Sequence, residues 1–248
     1  MRCAVMWSGG KDSALAAQRA RGAGAEITCL VNFYDSLTGR VRFHATRTEL
    51  VAAQAEAMGV RLVQRGTTWP GFEPVFRETI DALAVEGVEG IVFGDIHLAD
   101  VRAWYEVRVR AAGLAHVEPL WGEKPRDLLA EFVGSGGRAV VTCCESAKLG
   151  ESWLGRTIDE RFVRDIATVP IDPGGENGEY HSFVFAGPLF ARPVPHALGE
   201  RRSDGRFAQL DILLEEEATS DPGETRRTLA NHPLLQLSSN APRRSARR

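Results

Sequence analysis

Lysine is nearly absent from the chain. Lys11, Lys124 and Lys148 stand against 27 arginines in 248 residues. Arginine preference of this kind is what a GC-rich genome produces, so it says little, but it makes a lysine inside a motif conspicuous. Cysteine is scarce as well. Cys3, Cys29, Cys143 and Cys144 form neither a CxxC pair nor a Cys/His ligand pattern, which excludes the usual zinc-finger spacings and a disulfide framework. A reduced, intracellular protein is the natural reading. No apolar run approaches the ~20 residues of a membrane span. The opening MRCAVMWSGGKDS is too briefly apolar for a signal peptide. A cytoplasmic location and no membrane partner are therefore expected.

A strong charge of either sign is also missing. The net charge is −3, so nucleic acid is not expected as a partner held by bulk charge. Residues 217–248 carry three acids and six arginines, a charge of +3, which leaves −6 on the rest. That segment has no hydrophobic periodicity and reads as a mobile, solvated tail. The sequence sets no oligomeric state; a homodimer is compatible with it.

What is present is a globular composition, 44% hydrophobic and 25% charged. Short apolar runs alternate with amphipathic segments of helix length. Strands are expected at Cys3–Trp7, Glu26–Val31, Arg61–Arg65, Gly90–Phe93, His116–Pro119 and Arg138–Thr142. Helices are expected at Lys11–Arg21, Thr46–Met58, Phe72–Val85, Asp100–Ala112, Arg126–Val133 and Thr157–Ile166. This rhythm predicts an α/β fold with a doubly wound, mostly parallel sheet. From Pro170 the pattern changes to Gly- and Pro-rich sequence, with strands near Tyr180–Phe185 and Arg206–Leu214. The expected organisation is a nucleotide-binding domain over residues 1–169, a smaller C-terminal α+β lobe over 170–216, and the tail.

The strongest local signal is Ser8-Gly9-Gly10-Lys11-Asp12-Ser13, directly after the first strand and opening the first helix. A doubly wound sheet binds phosphate at such a place. Glycines let the backbone approach the ligand, and the helix N-terminus offers free N–H groups and a positive dipole. Ser8 and Ser13 add hydroxyls, Lys11 adds a charge, and Asp12 suits a helix cap or a magnesium ion bridging phosphates. The loop is not a P-loop, because Val5 and Asp12 stand where GxxxxGK[ST] needs Gly and Ser or Thr.

SGGKDS resembles the loop of the N-type ATP pyrophosphatases, in the adenine nucleotide alpha-hydrolase-like superfamily with its HUP-like fold. Gly94-Asp95-Ile96, Arg102, Glu106 and Pro119-Leu120-Trp121 resemble a segment of the diphthine–ammonia ligase family, as do WLGRTID (Trp153–Asp159) and DPGGENGEYHSFV (Asp172–Val184). The resemblance covers roughly residues 1–215. It departs at Gly174, where the family often has Cys, and at His181, where eukaryotic-type members have Glu. It implies a ligase that adenylates a carboxylate with ATP and Mg²⁺, then lets ammonium displace AMP. The implied carboxylate is diphthine on elongation factor 2, a modified histidine of archaea and eukaryotes; a bacterial paralogue would act on another carboxylate. Catalytic roles are expected for Lys11 and Asp12, with Asp12 also the metal ligand. ATP contacts are expected from Ser8 to Ser13 and from Val31, Asn32, Gly94, Asp95 and Ile96. Acceptor contacts are expected from His44, Arg102, Glu106, Glu176, Glu179 and His181. Two other readings use the same loop. One is a tRNA-modifying adenylating enzyme with sulfur carried on Cys143 or Cys144; the other is an adenine-nucleotide sensor without turnover.

Overall fold

The structure, a computed structural model, describes residues 1–68 and 70–215. The segment 217–248, and with it the expected mobile tail, lies outside the described residues. Among those residues no helix is long and apolar enough to cross a membrane.

The first sheet holds five parallel strands: β1 (Arg2–Met6), β2 (Glu26–Asp35), β4 (Arg61–Thr67), β5 (Gly90–Val92) and β6 (Ala115–Val117). Their order is β4-β2-β1-β5-β6, and β3 (Arg40–Val41) pairs antiparallel with the end of β2. Side chains alternate across a strand, and both faces of this sheet are covered. On one face Cys3 and Val5 pack with α1 (Lys11–Gly22) and α2 (Thr48–Met58). On the other, Ala4, Cys29 and Val31 pack with Phe76 and Ile80 of α3 (Phe72–Val85) and Val109 of α4 (Ala99–Ala111). The expected doubly wound sheet is therefore present. The chain builds outward from β1 to β2 and β4, then crosses back to β5 on the other side of β1. The carboxyl ends of β1 and β5 flank that reversal, where such sheets bind ligands.

The second sheet is antiparallel. It follows α5 (Pro125–Gly134) and comprises β7 (Arg138–Glu145), β8 (Thr157–Ile158), β9 (Tyr180–Ala186), β10 (His196–Ser203) and β11 (Phe207–Leu214), with α6 (Glu160–Ile166) between β8 and β9. β7 is central, flanked by β9 on one side and by β8 and β11 on the other, and β10 lies beyond β11.

Three expectations need correction here. Arg138–Thr142 does not extend the parallel sheet: Ala139–Cys144 are all buried, and an apolar run buried on both faces does not show which sheet it joins. Thr157–Ile158 pair with β7 rather than opening a helix. The helix starts after Asp159, whose carboxylate accepts the Phe162 N–H at 2.9 Å as an N-cap. β10 was not expected, because HALGERRS is mostly polar and broken by Gly199, the composition of a strand at a sheet edge. The change of sheet thus falls between β6 and α5, well before residue 169, and residues Met1–Glu215 form one compact unit.

Asp211 on β11 fastens the second sheet to the first. Its side chain, 8% exposed, accepts from Arg40 Nη1 at 2.8 Å and from Arg47 Nε and Nη2 at 3.0 and 2.7 Å. Hydrogen bonds from Arg47, working against burial, and further ones from Arg40 hold its carboxyl well below the usual range. Breaking a buried pair costs about 3–5 kcal/mol, so Asp211→Ala is expected to lose about that much in urea unfolding. The wild-type contribution is full above the unfolded carboxyl value of about 3.9 and disappears as pH falls towards the depressed folded value. Equal acid sensitivity of wild type and variant would contradict this role.

Candidate active site

The Ser8–Ser13 turn lies at the switch point, and two of its glycines are sterically required. Gly9 has φ +83°, and a Cβ there would stand 2.9 Å from Gln54 Oε1. A Cβ on Gly10 would stand 2.6 Å from His44 Cε1. Gly10 caps α1 with no side-chain bond to the first turn. Instead Ser13 Oγ donates to Gly10 O at 2.9 Å and the Gly10 N–H reaches Ser8 Oγ at 3.3 Å. Gly94, after β5, closes the crevice from the side: its Cβ would meet the Asp12 carbonyl carbon at 2.8 Å and Ser13 N at 2.9 Å.

The second sheet completes the site. The Val184 N–H donates to Gly9 O at 2.8 Å, and the Lys11 N–H donates to Ser182 Oγ at 3.2 Å. Buried Gln54 gathers three elements: it accepts from Trp7 Nε1 at 2.8 Å and donates to Gly9 O and Val184 O at 3.0 and 2.6 Å. Lys11 is 4% exposed. Its Nζ donates to Asp12 Oδ1 and Oδ2 at 3.0 and 2.8 Å and to Gly174 O, and lies 5.2 Å from the Tyr180 ring centroid. Burial opposes its charge, but Asp12, Tyr180 and Glu176 outweigh burial and keep it cationic well above neutral pH.

Acids outnumber cations around it. Glu176 Oε1 accepts the Ile96 N–H at 2.9 Å, and burial followed by the nearby Asp12 raises its carboxyl. Asp95 is pushed up to about 7 by burial and then by Glu176, Glu118 and Asp12. Such crowding favours a bound cation. Glu179, 4% exposed, keeps one carboxylate oxygen buried without a hydrogen bond.

His44 sits in a strained turn, between Phe43 at φ 65° and Ala45 at φ 57°. Such residues cost of order 1 kcal/mol or more and cluster at functional sites. Thr142 Oγ1 pins the turn at His44 O (2.9 Å), while His44 Nδ1 donates to Ser182 O at 3.1 Å. The His44 and His181 rings are 4.7 Å apart. Burial lowers both, and for His181 the neighbouring His44 and Lys11 lower it further, so both are neutral imidazoles.

The structure thus brings Lys11, Asp12, His44, Glu176 and His181 together with Gly94–Ile96. Other expected contacts fall elsewhere. The Val31 side chain is core, and the Asn32 amide is engaged with Trp7 O at 2.8 Å and Gln64 Nε2 at 3.3 Å, because β2 runs on to Asp35 instead of ending at Val31. Arg102 and Glu106 do not pair: Arg102 meets Glu118 at 2.9 Å and stacks on Trp121, while Glu106 meets Arg110 at 2.6 Å. Cys143 and Cys144 are buried, and burial pushes both thiols up to about 12. Gln54, Tyr180 and Ser182 were not singled out. Their only signal is a polar group on an otherwise apolar face, which sequence alone gives no partner.

Fold and site define a class: a doubly wound α/β protein with a glycine-rich helix N-terminus and a buried lysine at its switch point. Within that class, residues 1–116 match the diphthamide synthase N-terminal domain and residues 124–211 the diphthamide synthase C-terminal domain. The chain belongs to the diphthamide synthase family. It is 26% identical to a diphthine–ammonia ligase of Rattus norvegicus over 94% of this chain and 99% of that protein. It is 27% identical to the Homo sapiens diphthine–ammonia ligase over 78% and 82%. A solved structure titled as a predicted subunit of a tRNA methyltransferase from Methanocaldococcus jannaschii aligns with a TM-score of 0.41 and 14% identity, over 76% of this chain and 98% of that one; a likeness of that size carries no functional weight.

Replacing Gly94 by Ala is expected to displace the Asp12–Ser13 backbone, cost about 1–3 kcal/mol of stability as overpacking does, and weaken MgATP binding at least tenfold in calorimetry. Unchanged nucleotide affinity would separate Gly94 from the site.

Proposed function

We propose that the protein is an ATP-dependent carboxylate–ammonia ligase acting on diphthine or a closely related carboxylate, through an acyl-adenylate. The observation that carries this reading is Lys11: a cation buried at an anion-binding helix N-terminus and held by the Gly174 carbonyl of the turn that leads into β9. A buried charge is costly unless it is paired, and a site that places one beside a Gly-rich turn is built for phosphate. The family and the full-length relatives agree with it.

The triphosphate lies on the Ser8–Ser13 turn, with the N–H groups of α1 and Lys11 facing its β- and γ-phosphates. An acceptor carboxylate oxygen attacks the α-phosphorus, the bond to the bridging oxygen breaks, and pyrophosphate leaves. Ammonia nitrogen then bonds to the acyl carbon while the carbon–oxygen bond to AMP breaks, and the nitrogen gives up a proton to solvent or a nearby base. The protein contributes positioning and charge stabilisation. A magnesium ion fits the excess of carboxylates here, with Asp12 as its protein ligand; Mg²⁺ takes one or two carboxylates and completes its shell with phosphates and water. Bound there, it neutralises charge on the phosphates. Glu176, through Ile96, positions the Gly94–Ile96 turn. Neutral His44 and His181 line the acceptor side and accept or donate hydrogen bonds without repelling Lys11. The thiol route of RNA thiolation gains no support, since Cys143 and Cys144 are un-ionised and buried within β7.

The test is pyrophosphate exchange into ATP with diphthine-bearing elongation factor 2 as acceptor. Wild type is expected to exchange, and Lys11→Ala or Asp12→Ala to lose about 10²–10³-fold, the scale of removing a charge-stabilising donor. Full exchange in both variants would overturn the role of the loop. ATP binding without exchange would indicate a sensor.

A further inference from the structure

Beside the nucleotide loop lies a second polar cluster that the adenylation chemistry leaves unused. It is built where β6 ends. The Glu118 side chain is 3% exposed and that of His116 2% exposed. Glu118 Oε1, Glu118 Oε2 and His116 Nε2 are all buried without a hydrogen bond. Arg102 Nε lies 2.9 Å from Glu118 Oε2, out of line for a hydrogen bond, and His116 Nε2 stands 3.5 Å from Glu118 Oε1. Buried polar atoms are nearly always satisfied; Glu118 Oε2 has the Arg102 charge beside it, whereas Glu118 Oε1 and His116 Nε2 have no donor, and the two together ask for one.

Their chemistry selects it. A carboxylate only accepts. Burial, ahead of the charges of Arg102 and Arg110, keeps His116 neutral, and a neutral ring with its proton on Nδ1 accepts at Nε2. The occupant must therefore be a donor. A metal is not indicated: among the described residues no group of three or more His, Cys, Asp or Glu could hold one. Arg102 balances Glu118, and Asp95, pushed up to about 7 by burial and its acidic neighbours, is ionised more fully when a cation is bound nearby. Ring packing of His116 on Phe93, with centroids 4.7 Å apart, and the Arg102 stack on Trp121 keep it compact.

Its position matters as much. β1, β5 and β6 are adjacent and parallel. Asp12 lies in the first turn of the helix after β1, Asp95 three residues past β5 and Glu118 directly after β6, and Asp95 is electrostatically coupled to both of the others. The Phe93 N–H to Val117 O bond and the Gly122 N–H to Ile96 O bond, both 2.8 Å, tie the two outer turns together.

We propose that Glu118 and His116, with Asp95 as the inner wall, bind the ammonium ion that supplies the amide nitrogen, and hand it along the sheet edge towards the Ser8–Ser13 loop. This rests on the ligase reading above and names the site of its second substrate. Ammonium has four N–H donors and no acceptor, the complement of Glu118 Oε1 and His116 Nε2. One proton passes from ammonium to the Asp95 carboxylate, leaving ammonia with its lone pair free to attack.

The experiment has two arms. In the first, melting temperature is followed in ammonium chloride and in potassium chloride at equal ionic strength. Wild type is expected to gain stability in ammonium over potassium, a cation of similar size with no directed donors, and Glu118→Gln to lose the difference. In the second, amide formation on diphthine-bearing elongation factor 2 is measured against ammonium. Glu118→Gln is expected to raise the ammonium KM at least tenfold with kcat within about twofold. Should Glu118→Gln fail to fold, His116→Phe removes Nε2 while keeping the packing on Phe93. No ammonium-specific stabilisation in wild type, or an unchanged ammonium KM in the variants, would overturn the site. Wild-type pyrophosphate exchange, which needs no ammonium, separately tests the ligase reading, and the melting arm stands whatever that assay gives.

Discussion

The positive charge of Lys11 has to be kept where water hardly reaches, and much of the molecule is arranged around that requirement. Removing an ammonium from water costs several kcal/mol unless it is paired and hydrogen-bonded. Asp12 supplies the pair and Gly174, in the turn that leads into β9, a carbonyl. The Ser182 hydroxyl takes the Lys11 backbone N–H. None of these partners except Asp12 is near in sequence, so the cation is stable only when the two sheets are docked. Docking of the sheets and burial of the lysine are one event.

Close approach makes that docking possible. Gly9, Gly10 and Gly94 each stand where a Cβ would collide with a neighbour at 2.9 Å or less. The resulting space is filled by polar groups that bridge: Gln54 joins the turn to β1 and β9, and the pinned His44 turn reaches both Ser182 and Thr142. Asp211 does the same from the far side of the second sheet through Arg40, whose Nη1 also donates to Ala45 O at 2.7 Å. The left-handed residues around His44 are thus held by contacts from both sheets, which is how such strain persists.

Local signals in the sequence carried the parallel sheet and the loop. Alternation of apolar runs with helical periods located β1, β2, β4 and β5 to within a few residues, and the glycines after β1 marked the close-packed turn at the switch point. Long-range pairing was not legible. RAVVTCCE reads as a buried strand in either sheet, and only its pairing with β9 and β11 decides. Arg102 and Glu106 were expected to face an acceptor, yet Arg102 is paired with Glu118 and Glu106 with Arg110. His116 and Glu118 gave no signal at all, because two polar residues at a short strand's end read as surface until the fold closes over them.

Two departures from the family pattern also become physical. A Cβ at Gly174 would stand 2.7 Å from Pro125 Cβ and 3.2 Å from Asp172 Oδ1, so the cysteine common in the family has no room beside this α5. Its absence belongs to the way α5 begins with a proline against the loop, and a thiol is not part of this site's chemistry. His181 follows the same logic. A glutamate in its place would add an anion near Lys11, whereas the neutral imidazole packs 4.7 Å from the His44 ring, tilted by 49°, and adds no charge. Both departures therefore leave Lys11 and Asp12 as they are and alter only their surroundings, in the turn before β9 and in β9 itself.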